Sequence, residues 1–296
     1  MIQANNSKSN KIQNRQIILK LLAMKAPISR VELSVLSGLS KMSLTNIISE
    51  FKEEGFIMEV GVDTTAEGKR KPVLLELADG VINALGVVVT QTEILSCFAD
   101  IKGNVLKFDT CPLPAGEFTD SVVSYIQNTL KNAPCTVLGV GVAFEASLNV
   151  EVSKTIQTAL EQADQDVSIH FANDAQCALM AEKRYGGAKG LDCVLYATYA
   201  KNNLCCALYA NKKLLQGYNG NAGIVPCGSQ EEAIGKLKDL IAFSDPQAVL
   251  FEEEFARYDV CRKIEKDGIP VRLCALGKQA PILGSATLVF ESEYFS

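Results

Sequence analysis

The chain has 296 residues, of which 48% are hydrophobic and 21% are charged, with a formal net charge of −5 and a single histidine. It contains no apolar run of about 18 residues, so the sequence predicts no membrane-spanning helix and no membrane partner. The first residues, MIQANNSKSNKIQNRQ, are polar and lack the apolar centre of a secretory signal peptide. We therefore expect a cytoplasmic protein, and its length predicts two domains.

The ten cysteines lie between Cys97 and Cys274, and no two have a CxxC spacing. Without an export signal, they are expected to be reduced and mostly buried thiols. Cys205 and Cys206 are adjacent in a strand-like stretch, so one thiol is expected on each face, with a vicinal disulfide as the alternative. The single histidine, His170, excludes metal motifs such as HExxH and lies in an apolar stretch typical of a core strand. We predict neither a metal nor a cofactor.

Charge divides the chain into two parts. Residues 1–78 carry 11 basic and 8 acidic side chains, whereas the remaining residues carry 18 basic and 26 acidic ones. A small basic module joined to a larger acidic one is typical of a nucleic-acid-binding protein with a sensor or assembly domain. This division predicts one domain over residues 1–78 and a second over residues 79–296.

The first predicted element is a helix that starts near Asn14, because apolar residues recur there at helical spacing. Pro27 ends this helix. Ser29 is expected to cap a second helix over residues 30–37, with Glu32 completing a capping box. Three apolar side chains of the second helix are expected to turn inward: Val31, Leu33 and Leu36.

Gly38 supplies the left-handed residue of a tight turn, and Ser40 caps a third predicted helix over residues 41–54. The expected buried side of this helix contains Leu44, Ile47, Ile48 and Phe51. Two short helices joined by a tight turn are typical of a helix-turn-helix, whose second helix enters the major groove of DNA. The residues expected to reach bases and phosphates are Ser40, Lys41, Met42, Ser43, Thr45 and Asn46.

Two strand-like stretches, residues 56–60 and 72–77, flank the loop GVDTTAEGKRK and predict a hairpin wing. Its basic triplet, Lys69, Arg70 and Lys71, is suited to phosphates or to a narrow minor groove. A helical hairpin with charged ends is the alternative interpretation. The order of elements favours a winged helix-turn-helix that binds double-stranded operator DNA. A homodimer is expected, because palindromic half-sites double the few base contacts of one module.

The stretch SRVELSVLSGLSKMSLTNIISEFKEEGFIMEVG, followed by GKRKPVLLEL, resembles the winged helix of repressors in the ROK (repressor, open reading frame, kinase) family. Later segments are similar to motifs of that family's sugar-kinase domain: ALGVVVTQTEILSCFADIKGNVL, FANDAQCALMAEKRYGGAKG, LLQGYNGNAGIVPCG, DPQAVLFEEEF and GKQAPILGSATL. The resemblance implies an α/β fold in which an actin-like, ribonuclease H-like domain follows the winged helix. It also implies a repressor of sugar-metabolism genes that responds to a sugar or sugar-phosphate effector.

Three turns that hold nucleotide phosphates in the family depart from its pattern here. They read VVTQT at residues 88–92, YAKNNLCC at 199–206 and EEE at 252–254. Phosphate turns need glycine because backbone N–H groups must approach the oxygens closely, and three carboxylates would repel a triphosphate. We therefore predict that the chain is not an enzyme. A ROK sugar kinase with an appended DNA-binding module is the alternative, and a sugar-binding module without DNA function is a third possibility.

Asn173 and Asp174 match the family's Asn-Asp pair, whose aspartate is the catalytic base in kinases and a sugar ligand in repressors. The other family sugar ligands, a glutamate and a histidine, align with Ile224 and Cys227, and the family's zinc cluster does not follow. The resemblance thus implies a remnant sugar site at Asn173 and Asp174. An N-cap for the following helix is an equal alternative for this pair.

Overall fold

The computed structural model describes residues 7–63, 71–113, 118–146, 148, 150–163, 167–218, 220, 222–256, 260–265 and 268–295. The chain divides into two compact units. The first comprises residues 1–81 and 291–296, and the second comprises residues 82–290. Among the described residues, no helix is both long and apolar enough to cross a lipid bilayer.

The first unit contains three helices and a small antiparallel sheet. Its elements are α1 (Ser7–Lys25), β1 (Ile28–Ser29), α2 (Arg30–Ser37), α3 (Lys41–Glu53), β2 (Ile57–Val62) and β3 (Val73–Leu77). The strand order is β1-β3-β2, so the hairpin of β2 and β3 is tied back to the segment that precedes α2. A π-helix near the end of the chain, Glu291–Phe295, also belongs to this unit.

Local hydrogen bonds set the bounds of α2 and α3. The Ser29 hydroxyl accepts the Glu32 N–H, and the Glu32 carboxylate accepts the Ser29 N–H, so the predicted capping box is present. Gly38 adopts the left-handed conformation with φ of 67° and donates its N–H to the Ser34 carbonyl. The Ser40 hydroxyl then accepts the Ser43 N–H at 3.2 Å. The tight turn therefore forms as the sequence predicts.

The buried face of α2 is narrower than predicted. Leu33 is fully buried, but Val31 and Leu36 are 66% and 52% exposed, so their predicted inward orientation is wrong. Residues two positions apart on a helix lie on nearly opposite faces, and an eight-residue helix can bury only a narrow stripe. The four predicted buried residues of α3 are all buried: Leu44, Ile47, Ile48 and Phe51.

An ionic and aromatic cluster attaches α1 to α3. The Arg15 guanidinium bonds to the carboxylates of Glu50, at 2.8 Å, and Glu54, and it lies 4.3 Å from the centre of the Phe51 ring. Lys11 adds a 2.6 Å contact to Glu50, and this hydrogen bond is the largest of the effects that lower the pKa of that carboxyl. These contacts fix the orientation of α3 within its unit.

The second unit has two lobes, each built on one mixed sheet. The elements of the first lobe are β4 (Asn83–Val89), β5 (Glu93–Asp100), β6 (Val105–Pro112), α4 (Phe118–Lys131), β7 (Gly139–Phe144), α5 (Val150–Gln162) and β8 (Ser168–Asn173). Its strand order is β6-β5-β4-β7-β8, with β5 antiparallel to both neighbours and β4, β7 and β8 parallel. His170 lies on β8 and is half-buried.

The second lobe repeats the plan with shorter strands. Its elements are α6 (Asp174–Tyr185), β9 (Val194–Ala200), β10 (Asn203–Ala210), β11 (Lys213–Leu214), β12 (Ile224–Pro226), α7 (Gln230–Ser244), β13 (Ala248–Phe251), α8 (Glu253–Phe255), α9 (Cys261–Glu265) and β14 (Val271–Leu273). The strand order is β11-β10-β9-β13-β14, and β12 adds to β10. The chain then returns to the sheet of the first lobe as α10 (Ala280–Phe290). A 3-10 turn, Gly277–Gln279, precedes α10.

Glycines allow α10 to pack directly against backbone on two sides. A Cβ atom at Gly141 of β7 would lie 1.7 Å from the carbonyl oxygen of Ser285, and one at Gly284 would lie 1.8 Å from that of Cys177 in α6. Side chains at these positions would force α10 away from the sheet and from α6. The structure therefore explains why glycine stands at both positions.

All ten cysteines are free thiols. Cys206 belongs to the core of the second lobe. The pKa of the Cys205 thiol is raised to about 12, chiefly by burial and further by the negative charges of Asp174 and Glu145. Neighbouring strand residues thus have different surroundings, as the alternation along β10 predicts.

Candidate functional site

The first candidate site is the exposed start of α3. Lys41, Met42, Thr45 and Asn46 are exposed, with Met42 at 77%, while Ser43 is half-buried. The Thr45 hydroxyl donates to the Lys41 carbonyl oxygen at 2.8 Å, which fixes that side chain along the helix. Lys41, Met42 and Asn46 are the other exposed side chains at this end of the helix.

The same surface contains features that the sequence did not single out. Ser49 is exposed one helical turn after Thr45, and it extends the polar stripe along α3. The spacing of four residues could have identified it. Ser40 is exposed at the N-cap, and Lys71 is exposed just before β3. Lys69 and Arg70, the other two predicted wing residues, lie outside the described residues.

The second candidate site is a cavity of about 380 Å³ in the second unit. It is walled by residues that follow β7, by α5, by the end of β8 and by the segment before β12. The rings of Phe144 and Phe171 stack in parallel with their centres 6.1 Å apart and form an apolar wall. The polar lining residues are Glu145, Ser153, Lys154, Gln157, Asn173, Gln216 and Tyr218. A cavity with an apolar wall and several hydrogen-bonding groups suits a small polyhydroxylated ligand.

Asn173 lines this cavity and also caps α6. Its side-chain oxygen accepts the Gln176 N–H at 2.8 Å, and its amide donates to the Ala222 carbonyl at 3.4 Å. The capping interpretation thus has the required geometry, since the Gln176 side chain also accepts the Asn173 N–H. Asp174 is the first residue of α6, and its carboxylate accepts the Ala175 N–H at 2.8 Å. Contact of either side chain with a ligand stays a prediction.

Gln176 positions one wall of the cavity. Its side chain is fully buried, and its amide nitrogen lies 3.4 Å from each of four carbonyl oxygens in the segment before β12. Those oxygens belong to Leu215, Gln216, Gly220 and Ala222. Sequence reasoning missed this residue, although a glutamine three positions after Asn173 is the signature of a capping box.

Carboxylates gather beside Asp174. The pKa of the Asp174 carboxyl is raised to about 6, chiefly by burial and further by the charges of Glu145 and Glu252, against hydrogen bonds from two backbone N–H groups that lower it. Glu145 follows β7 and Glu252 follows β13, where the Thr198 hydroxyl donates to Glu252 at 2.6 Å. Carboxylates gathered in this way repel an anionic ligand, and the effect on a triphosphate stays a prediction.

The stretch at residues 199–206, which departs from the glycine-rich pattern, contains the tight turn of the β9–β10 hairpin. Lys201 and Asn202 both adopt left-handed conformations, with φ of 48° and 62°, without being glycine. The Lys201 ammonium lies 2.9 Å from the Glu145 carboxylate. Because Lys201 belongs to the second lobe and Glu145 to the first, this ion pair joins the two lobes across the cleft. Sequence spacing could not reveal a contact between residues so far apart in the chain.

Glu252 directly precedes the short helix α8, and Glu253 and Glu254 are exposed in that helix. Within the described part of the chain, no group of three or more His, Cys, Asp or Glu side chains is arranged to hold a metal ion. Cys227, which aligns with a histidine of the family, is buried and its thiol donates to the Val225 carbonyl.

Curated relatives of the chain are xylose repressors, whereas no family model matches it. The chain is 24% identical over 283 residues to the xylose repressor of Caldicellulosiruptor bescii, covering 88% of this chain and 68% of that protein. It is 21% identical over 226 residues to the xylose repressor of Bacillus subtilis, covering 71% and 58%. The chain thus spans only about three fifths to two thirds of these relatives' length.

Among solved structures, a ROK family transcriptional regulator described as a homolog of the E. coli MLC protein matches 96% of this chain and 97% of its own, with a TM-score of 0.67 and 15% identity. The chain is thus similar in sequence to xylose repressors and similar in fold to a ROK family transcriptional regulator. A ROK family glucokinase from Streptomyces griseus matches 70% of this chain and 98% of its own, with a TM-score of 0.53 and 17% identity. The likeness of both structures confirms the predicted actin-like α/β fold of the second unit.

Proposed function

We propose that the chain is a cytoplasmic transcriptional repressor of sugar-metabolism genes that binds operator DNA through its winged helix. The observation that carries the proposal is the exposed start of α3, whose cap is formed by Ser40 and whose orientation is fixed by Arg15. The names of the curated relatives, xylose repressors, support the same function.

In this proposal, α3 lies in the major groove and its first residues face the base edges. An asparagine such as Asn46 can bond to both N6 and N7 of adenine, while a lysine such as Lys41 can bond to guanine or to a phosphate. The wing residues Lys69, Arg70 and Lys71 contact phosphates or the minor groove. Two copies of the chain then read two half-sites of a palindrome.

Selection of bound duplexes from a randomised pool tests the proposal. We expect enrichment of one palindromic sequence and a linear decrease of log affinity with log salt concentration. The double substitution Arg70→Ala and Lys71→Ala is expected to flatten that slope by about 0.9 for each phosphate that the wing no longer neutralises. A pool without an enriched sequence would contradict operator binding. An unchanged salt dependence in the double variant would contradict the role of the wing.

We also propose that the cavity beside Asn173 binds the effector, a sugar or a sugar phosphate, and that binding alters the spacing of the two DNA-binding modules in a dimer. The stacked phenylalanine rings and the polar lining support this class of ligand. A thermal-shift screen with pentoses, hexoses, N-acetylhexosamines and their phosphates should yield at least one stabilising compound. A flat result across the panel would contradict a sugar effector.

The chain is further proposed to lack kinase activity, because carboxylates and a lysine hairpin stand where phosphate turns are required. A coupled assay with ATP and the same panel should detect no sugar-dependent release of ADP. Phosphorylation that depends on Asp174 would instead establish the alternative, a ROK sugar kinase with an added DNA-binding module.

A further inference from the structure

The outer strand of the first lobe is exposed along its length. Within the described residues, β6 pairs with β5 on one side only and forms the edge of the sheet. Its side chains from Val105 to Thr110 are exposed, and these include three large apolar ones: Val105 at 44%, Leu106 at 45% and Phe108 at 54%. An exposed edge strand offers unpaired backbone groups to another strand.

We propose that β6 pairs antiparallel with β6 of a second copy of this chain and forms a homodimer through a continuous ten-stranded sheet. In a two-fold pairing centred on Phe108, Lys107 of each copy lies opposite Asp109 of the other. Opposite residues of antiparallel strands share a face, so two Lys–Asp pairs form, one on each side of the axis. The sequence VLKFDTC of residues 105–111 is thus complementary to itself in charge.

The face of β6 that carries Phe108 would make an apolar contact between the two copies. Phe108 lies opposite its own copy at the axis, and aromatic cross-strand pairs stabilise antiparallel sheets. Leu106 is the extra residue of a bulge in β6, where the register against β5 shifts, so the regular pairing between the two copies extends from Lys107 to Asp109. A lone lysine on an edge strand repels a second copy, whereas lysine and aspartate two residues apart attract it in this register only.

A neighbouring cavity favours the same arrangement. Lys107 and Asp109 line a space of about 270 Å³ between β6 and α4, together with Tyr125 and Asn128. The Tyr125 hydroxyl is hydrogen-bonded to the buried Ser96 hydroxyl at 2.7 Å. These two polar groups at the bottom of the space therefore already have a hydrogen-bond partner in each other. A second strand beside β6 would bring its own Lys107 and Asp109 to the rim of this space.

The experiment is a charge exchange measured by sedimentation velocity without DNA. The wild-type chain should sediment as a dimer with twice the 32.0 kDa chain mass. Lys107→Glu and Asp109→Lys should each weaken dimerisation about tenfold or more, because two attractive pairs become repulsive. The double substitution should restore the wild-type dissociation constant to within about threefold.

The most decisive measurement mixes the two single variants in one sample. A Lys107→Glu chain and an Asp109→Lys chain repel their own copies, but they complement each other and should form a heterodimer. Lys131→Glu, at the exposed end of α4, is the matched control and should leave the dimer intact. A monomeric wild type, single variants that stay dimeric, or a mixture that does not associate would each overturn the proposal. Since DNA is absent, none of these results depends on the proposed repressor function.

Discussion

Alanine at both Lys41 and Asn46 is expected to lower affinity for the selected operator by about 100-fold or more while the protein stays folded. Each well-formed base contact contributes about 1–3 kcal/mol of discrimination, and in a dimer each substitution acts at both half-sites. Both side chains are exposed, so their removal creates no cavity in the core. Fluorescence anisotropy with the selected duplex at fixed salt measures the decrease in affinity, and unchanged thermal unfolding confirms the fold.

Lys52→Ala is the matched control for this experiment. Lys52 lies in the last turn of the same helix and its ammonium bonds to Glu59, at the end of α3 opposite to the predicted DNA surface. Its substitution removes the same charge, yet affinity should change by no more than about twofold, as for a screened distant charge. Equal decreases in the two proteins would mean that net charge governs binding, and readout by the start of α3 would be wrong.

The predictions that succeeded in the first unit depend on local chemistry. The capping box of Ser29 and Glu32, the left-handed Gly38 and the cap by Ser40 each involve residues within a few positions of one another. Such hydrogen bonds form whatever surrounds them, so the sequence specifies them. The orientation of Val31 depends instead on which neighbours cover α2, and that prediction failed.

The candidate sites of the second unit depend on contacts between distant segments. Motif comparison located Asn173 and Asp174, but the walls of the cavity come from α5 and from the segment held by Gln176. The Lys201–Glu145 ion pair likewise joins two turns more than fifty positions apart. No spacing rule relates these residues, because the two lobes bring them together only after each sheet has formed.

The free energy of unfolding of the second unit is expected to decrease by about 3 kcal/mol through Asp174 alone as pH rises from below 4 to above 6. The pKa of this carboxyl rises from 3.8 in the unfolded chain to about 6 in the folded one, chiefly through burial. Between these values the folded state binds more protons than the unfolded state. The stabilising contribution is therefore complete below pH 3.8 and is lost as pH rises through 6.

Asp174→Asn isolates this contribution, because the amide cannot ionise and nearly preserves the shape of the side chain. Chemical denaturation across about pH 4 to 8 should give a flatter profile than that of the wild type, with the largest difference in slope between about pH 4 and pH 6. Asp192→Asn removes an exposed aspartate of the same unit and controls for the change in net charge. An unchanged profile in Asp174→Asn would mean that the carboxyl ionises as readily in the folded protein as in the unfolded chain. Burial beside Glu145 and Glu252 would then impose no cost on its charge, and the electrostatic argument against a bound triphosphate at this cleft would lose its basis.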